Sequence, residues 1–141
     1  MDAILSPMAL STTSRLLKTL GDETRLRILN LLRKGELSVG ELQEVLNMGQ
    51  SRISTQLTHL KEVGVLAHRK AGRRSFYSLC TCRFLGLIVQ VLDDADLADE
   101  FRADDAGYQA AMEKRRQESR SYFDRVAAAF DEQVLPGRTW E

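Results

Sequence analysis

Apolar residues crowd one broad face of the segment ETRLRILNLLRK, at Leu26, Ile28, Leu29, Leu31 and Leu32. They recur three and four residues apart at Ile53, Leu57, Leu60 and Val63, the spacing of helices half-buried against a core. Ser6-Pro7 reads as an N-cap with proline at the first helical position of an earlier helix, which carries Leu16, Leu17 and Leu20 as its apolar stripe and stops at Gly21. Asp22 then caps the second helix, whose last turn holds Arg33 and Lys34 before Gly35 ends it. Ser38-Val39-Gly40-Glu41 has the form of a capping box, with Leu37 and Leu42 placed as a hydrophobic staple, and starts a third, short helix closing near Leu46. A four-residue turn, Asn47-Met48-Gly49-Gln50, leads to Ser51 as cap of a fourth helix that ends at Gly64.

Two short helices joined by a glycine-containing turn make a helix-turn-helix. The runs VLAHRK and RSFYSL that follow, around Ala71-Gly72, read as a β-hairpin with a basic tip. The expected fold is therefore mainly α: a winged helix-turn-helix of about five helices plus a two-stranded wing, with an extra C-terminal helix. TCRFLGLIVQVL reads as the fifth, largely buried helix and is too short to span a bilayer. The acidic segment DDADLADEFRADDA reads as a solvated break before a long helix from about residue 107 to 133. This divides the chain into 7–94, the winged helix-turn-helix, and 95–141, the break and the tail helix.

Composition narrows the function. With 141 residues, 43% hydrophobic and 28% charged, the chain has length for one domain with a real core and an appended helical segment. Its zero net charge hides an asymmetry: residues 1–90 carry 13 Lys/Arg against 7 Asp/Glu, and residues 91–141 carry 7 against 13. A basic front half suits a polyanionic partner. Two cysteines cannot build a disulfide framework, and the N-terminus lacks the pattern of a signal peptide, so a cytoplasmic, non-membrane protein is expected. Without a phosphate loop, a nucleophile beside a base, or framed carboxylates, the chain is not expected to be an enzyme or to carry a cofactor.

The fourth helix is the candidate reading head for double-stranded DNA. With Ile53, Leu57 and Leu60 turned inward, Ser51, Ser54, Thr55 and Thr58 fall on the outward face. Short hydroxyl side chains reach several base edges, the Thr methyl suits thymine, and Gln50 suits adenine. Arg52 lies at the flank of that face, and Arg69, Lys70, Arg73 and Arg74 surround the wing tip, all suited to phosphates or the minor groove. Taken alone, a row of Ser and Thr only solvates a helix; the capped helix before it and the basic hairpin after it turn the reading toward DNA.

Residues 14–82 resemble the winged-helix repressors of the ArsR/SmtB family. The likeness rests on the G-D-x-T-R-L-R-I-L signature at Gly21–Leu29, the E-L-x-V-x-E-L box at Glu36–Leu42, the Q-S-x-x-S core at Gln50–Ser54 and the L-K-x-x-G-V-L run at Leu60–Leu66. The resemblance implies a homodimer, paired through its first and fifth helices, that binds a palindromic operator and leaves it when an inducer binds. It also implies where a metal would sit, and those positions are changed. The third-helix thiols are Ser38 and Gly40, and the fifth helix has no histidine. Cys80 and Cys82 remain as the thiols that arsenite or a soft metal would use, with a third ligand from the other subunit; the alternative is that both are packing or spectator residues. His59 reads as a phosphate- or solvent-facing residue and His68 as a wing-strand residue.

In the tail, Tyr108, Met112, Arg115, Ser119, Tyr122 and Val126, widened by Phe123 and Phe130, form a stripe that packs against something, with self-association the plain reading. KRRQESRSYFDRVAAAFDEQVLPGRTWE also resembles the connector that joins an ArsR-type domain to an S-adenosylmethionine-dependent methyltransferase. That likeness supplies the alternative function, a regulatory module of such an enzyme, with a methyl-donor metabolite as inducer.

Overall fold

The computed structural model describes residues 7–133, with side chains to residue 130. Six helices and a small sheet follow in the order α1 (Leu10–Leu20), α2 (Glu23–Leu32), β1 (Leu37–Ser38), α3 (Val39–Leu46), α4 (Gln50–Glu62), β2 (Leu66–Ala71), β3 (Arg74–Leu79), α5 (Leu85–Asp94) and α6 (Asp99–Gln133). The winged helix is thus present, with α1 to α5 and the wing in their expected places. Two compact units divide the chain between Tyr108 and Gln109, a boundary that α6 runs through.

In the first unit the core forms where the apolar spacing placed it. Ile28, Leu29, Leu31 and Leu32 of α2 meet Leu42 and Leu46 of α3 and Ile53, Leu57 and Leu60 of α4, all buried. Each such side chain contributes about 1.5–3 kcal/mol of transfer free energy. Asp22 accepts a hydrogen bond from Arg25 N at 3.0 Å, as an N-cap should. The capping box of α3 is complete: Ser38 Oγ accepts from Glu41 N at 3.2 Å and Glu41 Oε1 from Ser38 N at 2.8 Å. Asn47, left-handed at φ 53°, turns the chain from α3 to α4. Gly64, at φ 79°, ends α4 in a Schellman turn, with Val65 N bonded to Leu60 O and Gly64 N to Lys61 O.

Several local expectations are corrected. The first helix begins at Leu10, so Pro7 lies outside it; Ser6 lies outside the described residues. No side chain caps α1, and its start is set by the Thr13 N to Ala9 O bond. Ser51 is inside α4, whose cap is Gly49, because extended backbone at Gly49 lets its carbonyl take the Ile53 N–H at 3.1 Å. The wing has a third strand: Leu37 and Ser38 pair antiparallel with Tyr77 and Phe76, giving the order β1-β3-β2. Two residues are too short to register as a strand in sequence, and these also serve as the staple and cap of α3.

The fifth helix is only half covered. Ile88 and Leu92 are buried, but Leu87 and Val91 are 45% and 43% exposed, and on α1 Leu17 is 55% exposed beside buried Leu16. Leu17, Leu20, Leu26, Leu87 and Val91 border one apolar groove of about 190 Å³.

The acidic segment is not a solvated break. Its second half opens α6 at Asp99, where Asp99 and Glu100 in the first turn complement the helix dipole. Its carboxylates also pair with cations in and just after α2: Asp93 with Arg33, Asp104 with Arg27 and Asp105 with Lys34. Gly35 then acquires a second role, because a Cβ there would stand 2.7 Å from Tyr108 Oη. In the second unit, the described part of α6 leaves Tyr122, Phe123, Val126 and Phe130 exposed.

Candidate nucleic-acid interface

The outward row of α4 stands on a rigid base. Ile53, Leu57 and Leu60 are buried beneath it, and two side-chain links fix α4 against α2. Arg25 Nε donates to Gln56 Oε1 at 2.7 Å while its Nη1 donates to Thr19 O at 3.1 Å, and Arg52 Nη2 reaches Thr24 Oγ1 at 3.5 Å. The geometry therefore gives Arg25 a positioning role that its sequence context alone did not reveal. It lies in the T-R-L-R run, where only the partner helix shows what it holds.

Gln50, Ser51, Thr55 and Thr58 are exposed and Ser54 half-buried, with Ser51, Ser54, Thr55 and Thr58 at the i, i+3, i+4, i+7 positions of a single face. Thr55 Oγ1 donates to Ser51 O at 2.8 Å and Thr58 Oγ1 to Ser54 O at 2.9 Å. Both threonine protons are thus spent on the helix, and what these two residues leave outward is the oxygen lone pairs and the methyl. Such a surface accepts from the amino groups of cytosine or adenine and packs on a thymine methyl.

The wing divides its cations into two kinds. Its two-residue turn has Gly72 at φ 64°, the type II′ pattern, and puts Lys70 and Arg73 at the exposed tip. Among the described residues neither of these has a carboxylate partner. Arg69 and Arg74 are engaged. Arg69 pairs with Glu36, its Nε 3.0 and 2.9 Å from the two carboxylate oxygens and its Nη2 also on Oε1, and its guanidinium lies 4.9 Å from the centroid of Phe76, its cross-strand neighbour. Arg74 Nη2 donates to Ser38 Oγ at 3.2 Å, stands 3.9 Å from Glu41 Oε2, and covers the same ring at 5.3 Å. The Glu36 carboxylate, through its hydrogen bonds first, raises the Arg69 pKa further above its ordinary value. His68 stacks on Tyr77 across the hairpin at 5.0 Å, and His59 is exposed on α4.

Cys80 and Cys82 do not fit a resident thiophilic ion within one chain. Cys80 Sγ donates to Gly64 O at 2.9 Å, and partial burial first, then its neighbour Cys82, pushes its pKa up to about 11. Among the described residues no group of three or more His, Cys, Asp or Glu side chains is placed to hold a metal.

A capped positioning helix, an outward row of neutral polar side chains on the helix after it and a cationic wing together define a winged helix-turn-helix DNA-binding protein. Residues 22–67 match the family model for "Bacterial regulatory protein, arsR family". The chain is 37% identical over 93 residues to the HTH-type transcriptional regulator NmtR of Mycobacterium tuberculosis, spanning 66% of this chain and 74% of that protein. It is likewise 37% identical over 75 residues to the biofilm growth-associated repressor of Xylella fastidiosa strain Temecula1, spanning 53% and 66%. Its structure resembles the homodimeric winged helix-turn-helix DNA-binding domain of Mb0332 from Mycobacterium bovis, with a TM-score of 0.56 and 29% identity over 66% of this chain and 94% of that one. The chain belongs to the arsR family of bacterial transcriptional regulators.

Proposed function

We propose that the protein is a homodimeric repressor that reads a palindromic operator with α4 and holds it with the wing, leaving when an inducer binds. The observation that carries this reading is the single row Ser51, Ser54, Thr55 and Thr58 on a helix fixed by Arg25 and Arg52, beside a tip where Lys70 and Arg73 project. Gln50 starts the same helix and adds an amide at its N-terminal end. Two copies related by a twofold axis would present two such helices to successive major grooves. The half-exposed leucines and valine of α1 and α5 supply an apolar face for that pairing.

No described helix is long and apolar enough to cross a membrane, which agrees with a regulator working beside DNA in the cytoplasm. In this reading residues 7–94 bind DNA and dimerise, and residues 95–141 begin by bracing α2 and continue as the tail. The likeness of the tail to a methyltransferase connector rests on its residues alone, and the relatives named above are regulators.

Selection from random duplexes tests the proposal. A palindromic consensus, bound less tightly by Ser54→Ala or Thr55→Ala while random DNA is bound as before, is the expected result. Absence of any enriched sequence would overturn it and favour the methyltransferase-module alternative. A mobility shift on the selected duplex, repeated with arsenite, zinc and S-adenosylmethionine, identifies the inducer class.

A further inference from the structure

We infer that Glu36 is an internal stand-in for a DNA phosphate, holding Arg69 in its DNA-binding posture and setting how tightly the wing grips the backbone. The inference rests on the DNA-binding reading above. A carboxylate and a phosphate offer a guanidinium the same fork of two acceptor oxygens. In the free protein Glu36 presents that fork to Arg69, while Phe76 supports the guanidinium from its flat side at 4.9 Å.

Position matters as much as pairing. Glu36 immediately precedes β1, whose Leu37 and Ser38 pair with β3 and start α3, so the contact joins the wing to the helix-turn-helix. Arg69 remains 56% exposed and Glu36 31%, so solvent and an arriving phosphate both reach the pair. Arg74, the other engaged arginine, is held by Ser38 and Glu41 of the capping box and stays with the fold. Arg69 alone among the wing arginines is thus both pre-ordered and exchangeable. Binding DNA through it requires giving up Glu36, which lowers affinity equally for every sequence, because a phosphate contact carries no base information.

The test is a double-mutant cycle in duplex binding across a salt series, with Glu36→Gln, Arg69→Ala and the double variant. Gln keeps the size of Glu36 and removes its charge. Glu36→Gln is expected to tighten random and selected duplexes by the same factor, roughly 3- to 10-fold at low salt, with the log–log salt slope changed by much less than the roughly 0.9 of a whole contact, because Arg69 meets the same phosphate in both complexes. Placing Arg69→Ala in the same chain should abolish that gain. If Glu36→Gln leaves affinity unchanged, or if its gain persists without Arg69, the inference is overturned, the latter result making Glu36 only a diffuse repulsive charge. Thermal melts of all variants report whether each is folded. A wild-type protein that retains no duplex even at low salt would instead sink the DNA-binding reading itself.

Discussion

Removing the Arg27 guanidinium strands one of the most deeply buried charges in the first unit. Asp104 is 1% exposed, and its oxygens accept from Arg27 Nε at 3.0 Å and Nη2 at 2.9 Å. Arg27→Ala leaves that carboxylate without its countercharge, a change that costs about 3–5 kcal/mol in buried pairs. Because Arg27 is itself 24% exposed, water can enter the space it vacates, and the lower end, about 3 kcal/mol, is the value expected here. Total stabilities are only roughly 5–15 kcal/mol. At about 3–4 °C per kcal/mol for a chain of this length, the melting midpoint should fall by about 10 °C.

Thermal unfolding followed by far-ultraviolet circular dichroism measures this directly. The companion variant, Arg27→Met with Asp104→Leu, removes both charges and should recover most of the loss, since an apolar pair of similar volume needs no countercharge. A midpoint for Arg27→Ala within a degree or so of wild type would show that solvent already screens the pair. A double variant as unstable as Arg27→Ala would show that hydrogen-bond geometry, and not the stranded charge, holds the start of α6 to α2.

Three further outcomes follow from other parts of the molecule. Ser38→Ala should destabilise the protein by about 1 kcal/mol through loss of the α3 cap, read from the urea midpoint at constant m-value; an unchanged midpoint would mean that β1 pairing alone holds the start of α3. Cys80, with its pKa raised to about 11, keeps its proton more tightly folded than unfolded. That contribution is full below the ordinary thiol range and is lost as pH rises toward 11. Near pH 8 it should carry about a hundredth of the thiolate of a free cysteine and alkylate correspondingly slowly until denatured, and rapid native alkylation would contradict its bond to Gly64 O. Leu17→Glu with Val91→Glu should shift sedimentation toward monomer and weaken operator binding, whereas a dimer of undiminished stability would place the subunit contact elsewhere.

The helices, their order and the outward row of α4 were legible in the chain because each depends on neighbours within about seven residues. Apolar spacing decides which face of a helix is buried, Ser38 and Glu41 cap within one turn, and Gly64 is free to turn left-handed where the chain leaves α4. The hydroxyl face of α4 is simply what remains when Ile53, Leu57 and Leu60 turn inward. A strand of two residues gives no such periodicity, and β1 emerges only from its pairing with β3.

Charge was the least legible property, since a charged side chain's role depends on what stands opposite it in space. Sequence showed four cations around the wing tip; the tertiary structure engages Arg69 and Arg74 with Glu36, Ser38 and Glu41, leaving Lys70 and Arg73 projecting. It also turns an acidic stretch that looked solvated into partners for Arg27, Arg33 and Lys34, one of them 77 residues from Asp104 along the chain. The sequence by itself thus determined which segments fold and which face of α4 turns outward, through local periodicity and capping. Only the tertiary structure decided which charges are paired within the fold and which project from it, because ion pairing is settled by proximity in space.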